Sequence, residues 1–161
     1  MLVNPENVPI AARMLHDVPQ AARAFGLQMQ ILNASTENEI EAAFVTLVRD
    51  RIDALFVTPD TYFISQREQL VTLTARYRIP AAYSVPEDVE AGGLMSYGAD
   101  NQEMWHQVGV YTGQILKGAK PADLPVLQTT KFEFLINLRT AKALGIEVPS
   151  SILLLADEVI E

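Results

Sequence analysis

Short apolar strands alternate with amphipathic helices along the first hundred residues, and this alternation constrains the fold more than any other feature of the chain. Strand candidates lie at residues 2–3, 27–32, 54–57 and 79–84, with helical patterns between them. A β-α-β series with short connections is typical of a parallel sheet. The sequence therefore predicts an α/β fold, a parallel sheet with helices on both faces.

The helices between these strands carry clear start and stop signals. Thr36 and Glu39 form a capping-box pair ahead of one helix, and Gly26 ends the helix before it. Pro19 falls inside that earlier helix, so we expect a kink or a break there. The 27–32 segment alternates apolar and polar residues, which predicts a strand with one covered face.

The second half of the chain is less regular. A strand is predicted at 94–98, and Asp100 is positioned to cap a helix that ends at Gly118. The remaining elements are a strand at 131–136, a short helix at 138–144 capped by Asn137, and a short apolar tail with acidic residues at 149–161.

Composition narrows the function. The chain has 161 residues, 49% of them hydrophobic, which suits one domain or one lobe of a larger protein. A net charge of −8 argues against sequence-independent binding to nucleic acid and against docking on an anionic membrane. The absence of cysteine excludes disulfides and thiolate metal sites.

No signal peptide is visible. Met1 to Val3 reads as a buried strand without a lead-in, so we expect the protein to begin further upstream.

Catalytic chemistry is hard to find in this sequence. His16 and His106 lie on different predicted helices, and neither has further ligands at metal spacing. The chain has no Gly-x-Ser-x-Gly turn, no phosphate loop and no Gly-x-Gly-x-x-Gly motif. We therefore expect no catalytic residues, no metal and no cofactor, and we do not expect an enzyme.

Polar and aromatic side chains follow the predicted strands at the point where each strand ends. In a parallel α/β sheet, ligands bind outside the carboxyl ends of the strands. Asn4, Asp60, Tyr83 and Tyr97 occupy such positions, and a carboxylate there can meet an ammonium while an aromatic ring stacks on a flat group. Turn chemistry is the alternative interpretation for Asn4 and Asp60, because Asn-Pro and Pro-Asp pairs make good turns unaided. Asp100 is either a ligand contact or the helix cap.

Several long, ordered strings in the chain resemble one protein family. They are Gly92–Asp100 (GGLMSYGAD), Ile115–Pro125 (ILKGAKPADLP), Lys131–Asn137 (KFEFLIN), Thr140–Gly145 (TAKALG) and Ala156–Glu161 (ADEVIE). Together they resemble the extracytoplasmic substrate-binding proteins of ABC importers, in the group that includes tryptophan and tyrosine binders. The resemblance covers essentially the whole chain.

This resemblance implies a type I periplasmic-binding-protein fold, in which two α/β lobes close on a ligand at a hinge. Family members are about twice as long, so the chain looks like the C-terminal half. Residues 1–100 would form one α/β ligand-binding lobe. Residues 101–130 would be a helix and crossover segment that packs on a missing N-terminal lobe. Residues 131–161 would supply a return strand, a short helix and the C-terminal tail.

The implied function is capture of a small organic solute, such as an aromatic or branched amino acid, for delivery to an ABC permease. The implied location is periplasmic or extracytoplasmic. Asn4 and Asp60 are the expected polar contacts, with Tyr83 and Tyr97 as wall or stacking residues. Two alternatives belong to other classes: the ligand-sensing domain of a transcription regulator, and a flavodoxin-like α/β domain.

An assembly prediction follows from the helix after Asp100. Its apolar residues, among them Trp105 and Ile115, would lack their partner if the chain is half of a two-lobed protein. Large exposed apolar patches on soluble domains usually mark an interface. We therefore expect a homodimer through the helix that carries Trp105 and Ile115, with partner helices packed or exchanged across a two-fold axis.

Overall fold

The computed structural model describes residues 1–127 and 130–161. The strands are β1 (Leu2–Val3), β2 (Leu32–Asn33), β3 (Leu55–Phe56), β4 (Ala81–Tyr83), β5 (Met95–Ala99), β6 (Phe132–Asn137) and β7 (Glu158–Ile160). The helices are α1 (Val8–Ala24), α2 (Glu37–Arg49), α3 (Thr61–Ser65), α4 (Arg67–Tyr77), α5 (Pro86–Glu90), α6 (Asn101–Leu116), α7 (Leu138–Leu144) and α8 (Ser150–Leu153). A 3-10 turn spans Pro121–Asp123. Of the predicted crossover segment, residues 128 and 129 lie outside the described residues.

The strands form a mostly parallel sheet, as the alternating pattern predicts. β3, β4, β5, β6 and β7 are neighbours in that order, and β1 pairs with β2. A parallel bridge between Leu2 and Val57 places β1 beside the β3 segment. The exception is β6, which is antiparallel to β5. The chain leaves the sheet through β5, runs out along α6 and returns through β6, so the two strands must point in opposite directions.

Helices cover both faces of the sheet, and adjacent strand residues show this directly. Leu2 belongs to the main core, together with Phe44 of α2 and Leu70 of α4. Val3, the next residue, belongs to a smaller core with Ala11 of α1. Successive side chains of a strand point to opposite faces. The main core and the α1 core therefore lie on opposite sides of one sheet.

Of the kink or break predicted at Pro19, the break is wrong, because α1 runs from Val8 to Ala24 with Pro19 inside it. A proline within a helix removes one backbone hydrogen bond. Val18 packs against the smaller core and Ala22 is buried, so apolar packing holds the helix on both sides of the proline. Tertiary burial thus outweighs the local preference for a break.

The predicted strand at 27–32 is also largely wrong. Only Leu32 and Asn33 form a strand, and they pair with Leu2 and Val3 of β1. Leu27 is 63% exposed, so the side that the alternation marks as covered is mostly open there. A strand needs a partner along its length, and β1 pairs with β2 at only these two positions.

The 149–161 segment is more ordered than the predicted apolar tail. It contains α8 and then β7, which pairs parallel to β6. The Phe134 amide donates to the Asp157 carboxylate at 2.8 Å, and the Asp157 amide donates to the Phe134 carbonyl at 2.9 Å. A three-residue strand is too short to produce a visible period of two, so the sequence pattern does not reveal it.

One glycine is required by close packing between strands. A Cβ at Gly98 would lie 2.0 Å from the backbone oxygen of Ser84. The chain just after β4 and the end of β5 therefore approach each other more closely than any larger residue permits. This contact positions the carboxyl ends of both strands.

Residues 101–127 and 130 form a projecting segment that we call the arm. Its helix α6 has no buried residue, and Trp105 and Leu116 are 66% and 83% exposed. The Tyr111 hydroxyl donates to the Pro125 carbonyl at 2.7 Å, which ties α6 to the returning chain. Between them lies a groove of about 700 Å³, lined by apolar residues that include Met104, Val108 and Leu127.

Candidate functional site

Asn4 and Asp60 meet at the carboxyl edge of the sheet, where two strands end side by side. Thr58 aligns these strands: its amide and hydroxyl both donate to the Leu2 carbonyl, at 3.2 and 2.9 Å. The next residues along each strand then come together, and the Asn4 Nδ2 donates to the Asp60 Oδ1 at 2.9 Å. Both side chains are buried, although 56 residues separate them in the chain.

The Asp60 carboxylate accepts two further hydrogen bonds. The Tyr62 amide donates to Oδ1 at 2.9 Å, so Asp60 is also the N-cap of α3. The Asn7 Nδ2 donates to Oδ2 at 2.7 Å. Asn4 is held in turn, because its Oδ1 accepts from the Glu6 amide at 3.1 Å. We call Asn4, Asn7 and Asp60 the amide–carboxylate cluster.

The electrostatics of this cluster are unusual for a buried carboxylate. Asp60 is 4% exposed, yet within the described ranges no Lys, Arg or His forms an ion pair with it. Buried charges are ordinarily paired, because removing them from water is costly. Three neutral donors meet part of this cost. The cluster is suited to a further donor that carries positive charge.

Tyr83 does not line this edge. It is 1% exposed and belongs to the main core, and its hydroxyl lies 3.2 Å from the Thr74 hydroxyl. Burial raises the pKa of Tyr83 to about 12, so the phenol stays neutral. The structure therefore places Tyr83 as a packing residue of the main core.

Tyr97 lies in an exposed aromatic group on one face of β5 and β6. Its ring stacks on Phe132 with centroids 5.5 Å apart and planes 6° apart, and it meets Phe134 edge-on at 6.2 Å. Tyr97 is 60% exposed. Aromatic pairs in these geometries stabilise each other, and much of Tyr97 remains exposed to solvent.

Asp100 is the helix cap, the second of its two predicted roles. Its Oδ1 accepts from the amides of Gln102 and Glu103 at 2.9 and 3.0 Å, which caps α6. Its Oδ2 accepts from the Lys131 ammonium at 2.6 Å. That contact, followed by the helix amides, holds the pKa of Asp100 below its usual range. Asp100 thus fastens the base of the arm, where the chain leaves the sheet and returns.

Sequence reasoning missed Asn7 and the two phenylalanines. Asn7 acquires its partner from a residue 53 positions away, so no local pattern marks it as a member of this cluster. Phe132 and Phe134 join Tyr97 through an antiparallel pairing that an alternating β-α pattern does not predict. Asn7 immediately before a predicted helix was the one available signal, and that signal indicates a cap.

Two negative findings apply to the residues that the structure describes. Residues 1–127 and 130–161 contain no group of three His, Asp or Glu side chains arranged to hold a metal ion. In the same ranges, no helix combines the length and the apolar character that crossing a membrane demands.

The sheet, its two helical faces and the polar carboxyl edge define an α/β domain of the kind that binds ligands at the carboxyl ends of its strands. Comparison with known proteins supplies the family. Residues 2–160 match the family described as ABC transporter substrate binding protein, and the chain belongs to that family.

A curated relative is the tyrosine-binding protein of Clostridioides difficile strain R20291. It is 28% identical over 141 residues, which are 88% of this chain but only 40% of the relative. The chain therefore spans less than half the length of this relative. By name, the relative is a binding protein for tyrosine.

Solved structures agree with the fold. An ABC domain from Streptococcus pneumonia in complex with L-Trp superposes with a TM-score of 0.85 at 30% identity, covering 99% of this chain and 55% of that one. A conserved domain protein from Vibrio cholerae, 22% identical, has a TM-score of 0.86 and shares the fold, with 98% of this chain and 53% of that chain covered. The ligand-free, open structure of a substrate binding protein with adhesive properties from Clostridium difficile, 24% identical, gives 0.70, with 99% and 52% covered.

Proposed function

We propose that this chain is a ligand-binding lobe of the extracytoplasmic solute-binding component of an ABC importer. Its solute is an aromatic or branched amino acid, or a similar small organic molecule. The observation that carries the proposal is the buried Asp60 carboxylate at the carboxyl edge, which neutral donors hold and which forms no ion pair with any residue that the structure describes. The ammonium of an amino acid supplies the missing charge.

Relatives narrow the class of solute. One relative is named for tyrosine and one related structure holds L-Trp, so an aromatic side chain is the first choice. The exposure of Tyr97 supports this choice, since aromatic rings pack favourably on one another. Among the five expected contacts, we retain Asn4, Asp60 and Tyr97 for the solute. Asp100 stays at the base of the arm, and Tyr83 in the core.

The mode of action is capture and delivery without covalent chemistry. A solute that binds at the edge of one lobe is enclosed when a second lobe closes on it. The chain covers 55% of the L-Trp-bound structure, so the remainder of such a protein is long enough for that second lobe. The closed form would then be presented to an ABC permease on the periplasmic or extracytoplasmic side.

The test is a titration with L-tryptophan and L-tyrosine followed by nitrogen–proton NMR, which detects weak binding. Asp60→Ala should weaken binding by about 1–3 kcal/mol, because it removes the charged acceptor. Asp53→Ala is the matched control: the same substitution at an exposed residue before β3 rather than after it. Unchanged affinity in Asp60→Ala would remove Asp60 from the site.

The chain alone should bind weakly. A half-cleft lacks the contacts of the facing half, and deep burial of the ligand needs both. We expect a dissociation constant no tighter than about 1 mM, which corresponds to roughly 4 kcal/mol. Micromolar affinity in the same titration would contradict the half-cleft arrangement.

The arm adds a proposal about assembly. Its helix has no buried residue, whereas every other helix longer than five residues in the described ranges has at least one. In a two-lobed protein, the arm would pack on the other lobe. In this chain by itself, the available partner is a second copy, packed through Trp105 and Ile115. Light scattering measures this directly, and a monomeric mass at high concentration contradicts it.

A further inference from the structure

The first helix begins in a way that departs from the other helices in the described ranges that are capped by Thr, Asp or Asn. Thr36, Asp60, Asp100 and Asn137 each accept a hydrogen bond from a backbone amide in the first turn of the helix they cap. Asn7 occupies the same position before α1, and its side chain makes no cap hydrogen bond. Asn is among the best N-cap residues, so α1 lacks a stabilising cap hydrogen bond that Asn7 could otherwise make.

The backbone at Asn7 explains where the side chain goes instead. Asn7 has φ −87° and ψ 71°, whereas the caps of α2, α3, α6 and α7 all have ψ above 100°. With this geometry, the Asn7 amide turns away from its own helix and donates to the Asp60 Oδ2 at 2.7 Å. Asn7 therefore does not cap its own helix and instead contacts a residue 53 positions away. Departures of this kind from local sequence preferences are typical of functional sites.

The hydrogen bond from Asn7 fills one of the acceptor positions of the Asp60 carboxylate and helps to fix its orientation. An ionised carboxylate offers about four acceptor positions. Asn4 and the Tyr62 amide occupy two on Oδ1, and Asn7 occupies one on Oδ2. One acceptor position on Oδ2 therefore remains free of these three donors. Hydrogen bonds to both oxygens restrict rotation of the Asp60 carboxylate. A carboxylate fixed in this way pays little ordering entropy when a charged donor arrives.

We propose that Asn7 is a positioning residue of the solute site, which orients the Asp60 carboxylate toward a ligand ammonium and thereby sets a preference for amino acids over their des-amino analogues. This inference rests on the proposed function. Asn7 does not need to touch the solute. Asn7 acts through Asp60. Replacing Asn7 therefore weakens the preference for amino acids over des-amino analogues more than it weakens binding of the rest of the ligand.

The decisive variant is Asn7→Ser, because serine is as good an N-cap as asparagine but too short to reach Asp60 in the same way. A residue with a purely structural role would lose stability and binding together. We expect the melting temperature of Asn7→Ser to stay level or rise, since α1 gains its missing cap. We expect its affinity for L-tryptophan to fall about tenfold.

Binding is measured for L-tryptophan and for indole-3-propionate, the same molecule without the amino group. The preference for L-tryptophan should shrink in Asn7→Ser, with the affinity for indole-3-propionate unchanged. Asn7→Ala, which neither caps nor donates, should reproduce this loss of preference. Asn137→Ser is the control, since Asn137 does cap its own helix and lies outside the cluster.

The outcomes separate this inference from the proposed function. If the wild-type chain binds L-tryptophan, and Asp60→Ala weakens that binding but Asn7→Ser does not, the positioning role is wrong and the function stands. A parallel loss for both ligands with a lower melting temperature would also overturn it, since that marks a structural role. If the wild-type chain shows no binding of L-tryptophan or L-tyrosine at ligand concentrations well above the expected dissociation constant of about 1 mM, the proposed function itself fails.

Discussion

The rest of the molecule, residues 1–100 and 131–161, which we call the body, and the arm are built from the same kinds of residue, yet they are stabilised differently. In the body, apolar side chains such as Phe44 and Leu70 are almost fully enclosed by helices and strands. In the arm, Trp105, Ile115 and Leu116 remain exposed along a helix of 16 residues. An amphipathic pattern therefore creates a helix in both regions, but it creates a core only where a second surface faces it.

The largest expected effect tests the body. Phe44→Ala removes a side chain that is 0% exposed, which leaves a cavity in the main core. We expect the free energy of unfolding to fall by about 3–5 kcal/mol. Val45→Ala, at the neighbouring and 59% exposed position, should change it by less than about 0.5 kcal/mol. Urea denaturation measures both, and equal losses would mean that the Phe44 pocket collapses without cost.

A buried ion pair gives the next effect and depends on pH. Asp88 is 7% exposed at its side chain and accepts from Arg67 at 2.9 Å. Burial raises the pKa of Asp88, and the Arg67 contact opposes that rise. Arg67→Ala leaves the carboxylate buried without its cation, and we expect a loss of about 1–3 kcal/mol near neutral pH.

The sign of the pH effect follows from the raised pKa. A carboxyl whose folded pKa lies above its unfolded value favours folding when protonated, and that contribution is lost as the pH rises through the folded pKa. The defect of Arg67→Ala should therefore shrink as the pH is lowered toward the ordinary Asp range near 4. Arg76→Ala on the exposed side of α4 is the control. A defect that is constant with pH would assign it to lost packing rather than to charge.

The base of the arm should show a smaller and local effect. Asp100→Ala removes the cap of α6 and the contact with Lys131. We expect faster amide hydrogen exchange in the first turns of α6, with the exchange of the main core unchanged. Because the pKa of Asp100 is lowered, its stabilisation is present above the ordinary carboxyl range and lost as the pH falls through the folded pKa. Uniform acceleration across the whole chain would show that the arm and the body unfold together.

The smallest effect on stability is expected on the arm itself. Ile115 is 41% exposed, so Ile115→Glu should leave the unfolding of the body unchanged. If a second copy covers the arm, the same variant should halve the mass measured by light scattering, because a charge replaces an apolar contact. Gln114→Glu, one residue away, adds the same charge at a polar position and is the control. A variant that stays dimeric would move the interface elsewhere.

Local signals predicted a large part of this architecture. The alternating pattern predicted an α/β fold with helices on both faces, and Thr36 caps α2 as expected, while the Glu39 carboxylate accepts from Ser35. The secondary-structure predictions were wrong where contacts with other segments of the chain determine the conformation. The 27–32 segment has the right period but too short a partner strand, and Pro19 stays helical because packing holds the turns around it.

The candidate site likewise has positions that the sequence predicts and contacts that only the tertiary structure determines. Asn4 and Asp60 could be named from the sequence because strand ends in a parallel sheet share one edge. Their contact at 2.9 Å, and the choice between a turn residue and a buried cluster, depend on the bonds that Thr58 makes to Leu2. Tyr83 ends a strand by the same rule, yet its ring points into the core.

The sequence by itself determined the alternation of strands and helices over the first eighty residues and the polar caps of α2, α6 and α7, because periodicity and caps act over a few residues. Only the tertiary structure decided which of those residues meet. Asn7 turns from its own helix to Asp60, β6 runs back against β5, and the arm is left uncovered. Each of these depends on contacts between segments far apart in the chain, and no local pattern encodes them, because their free energy arises only when both surfaces are in place.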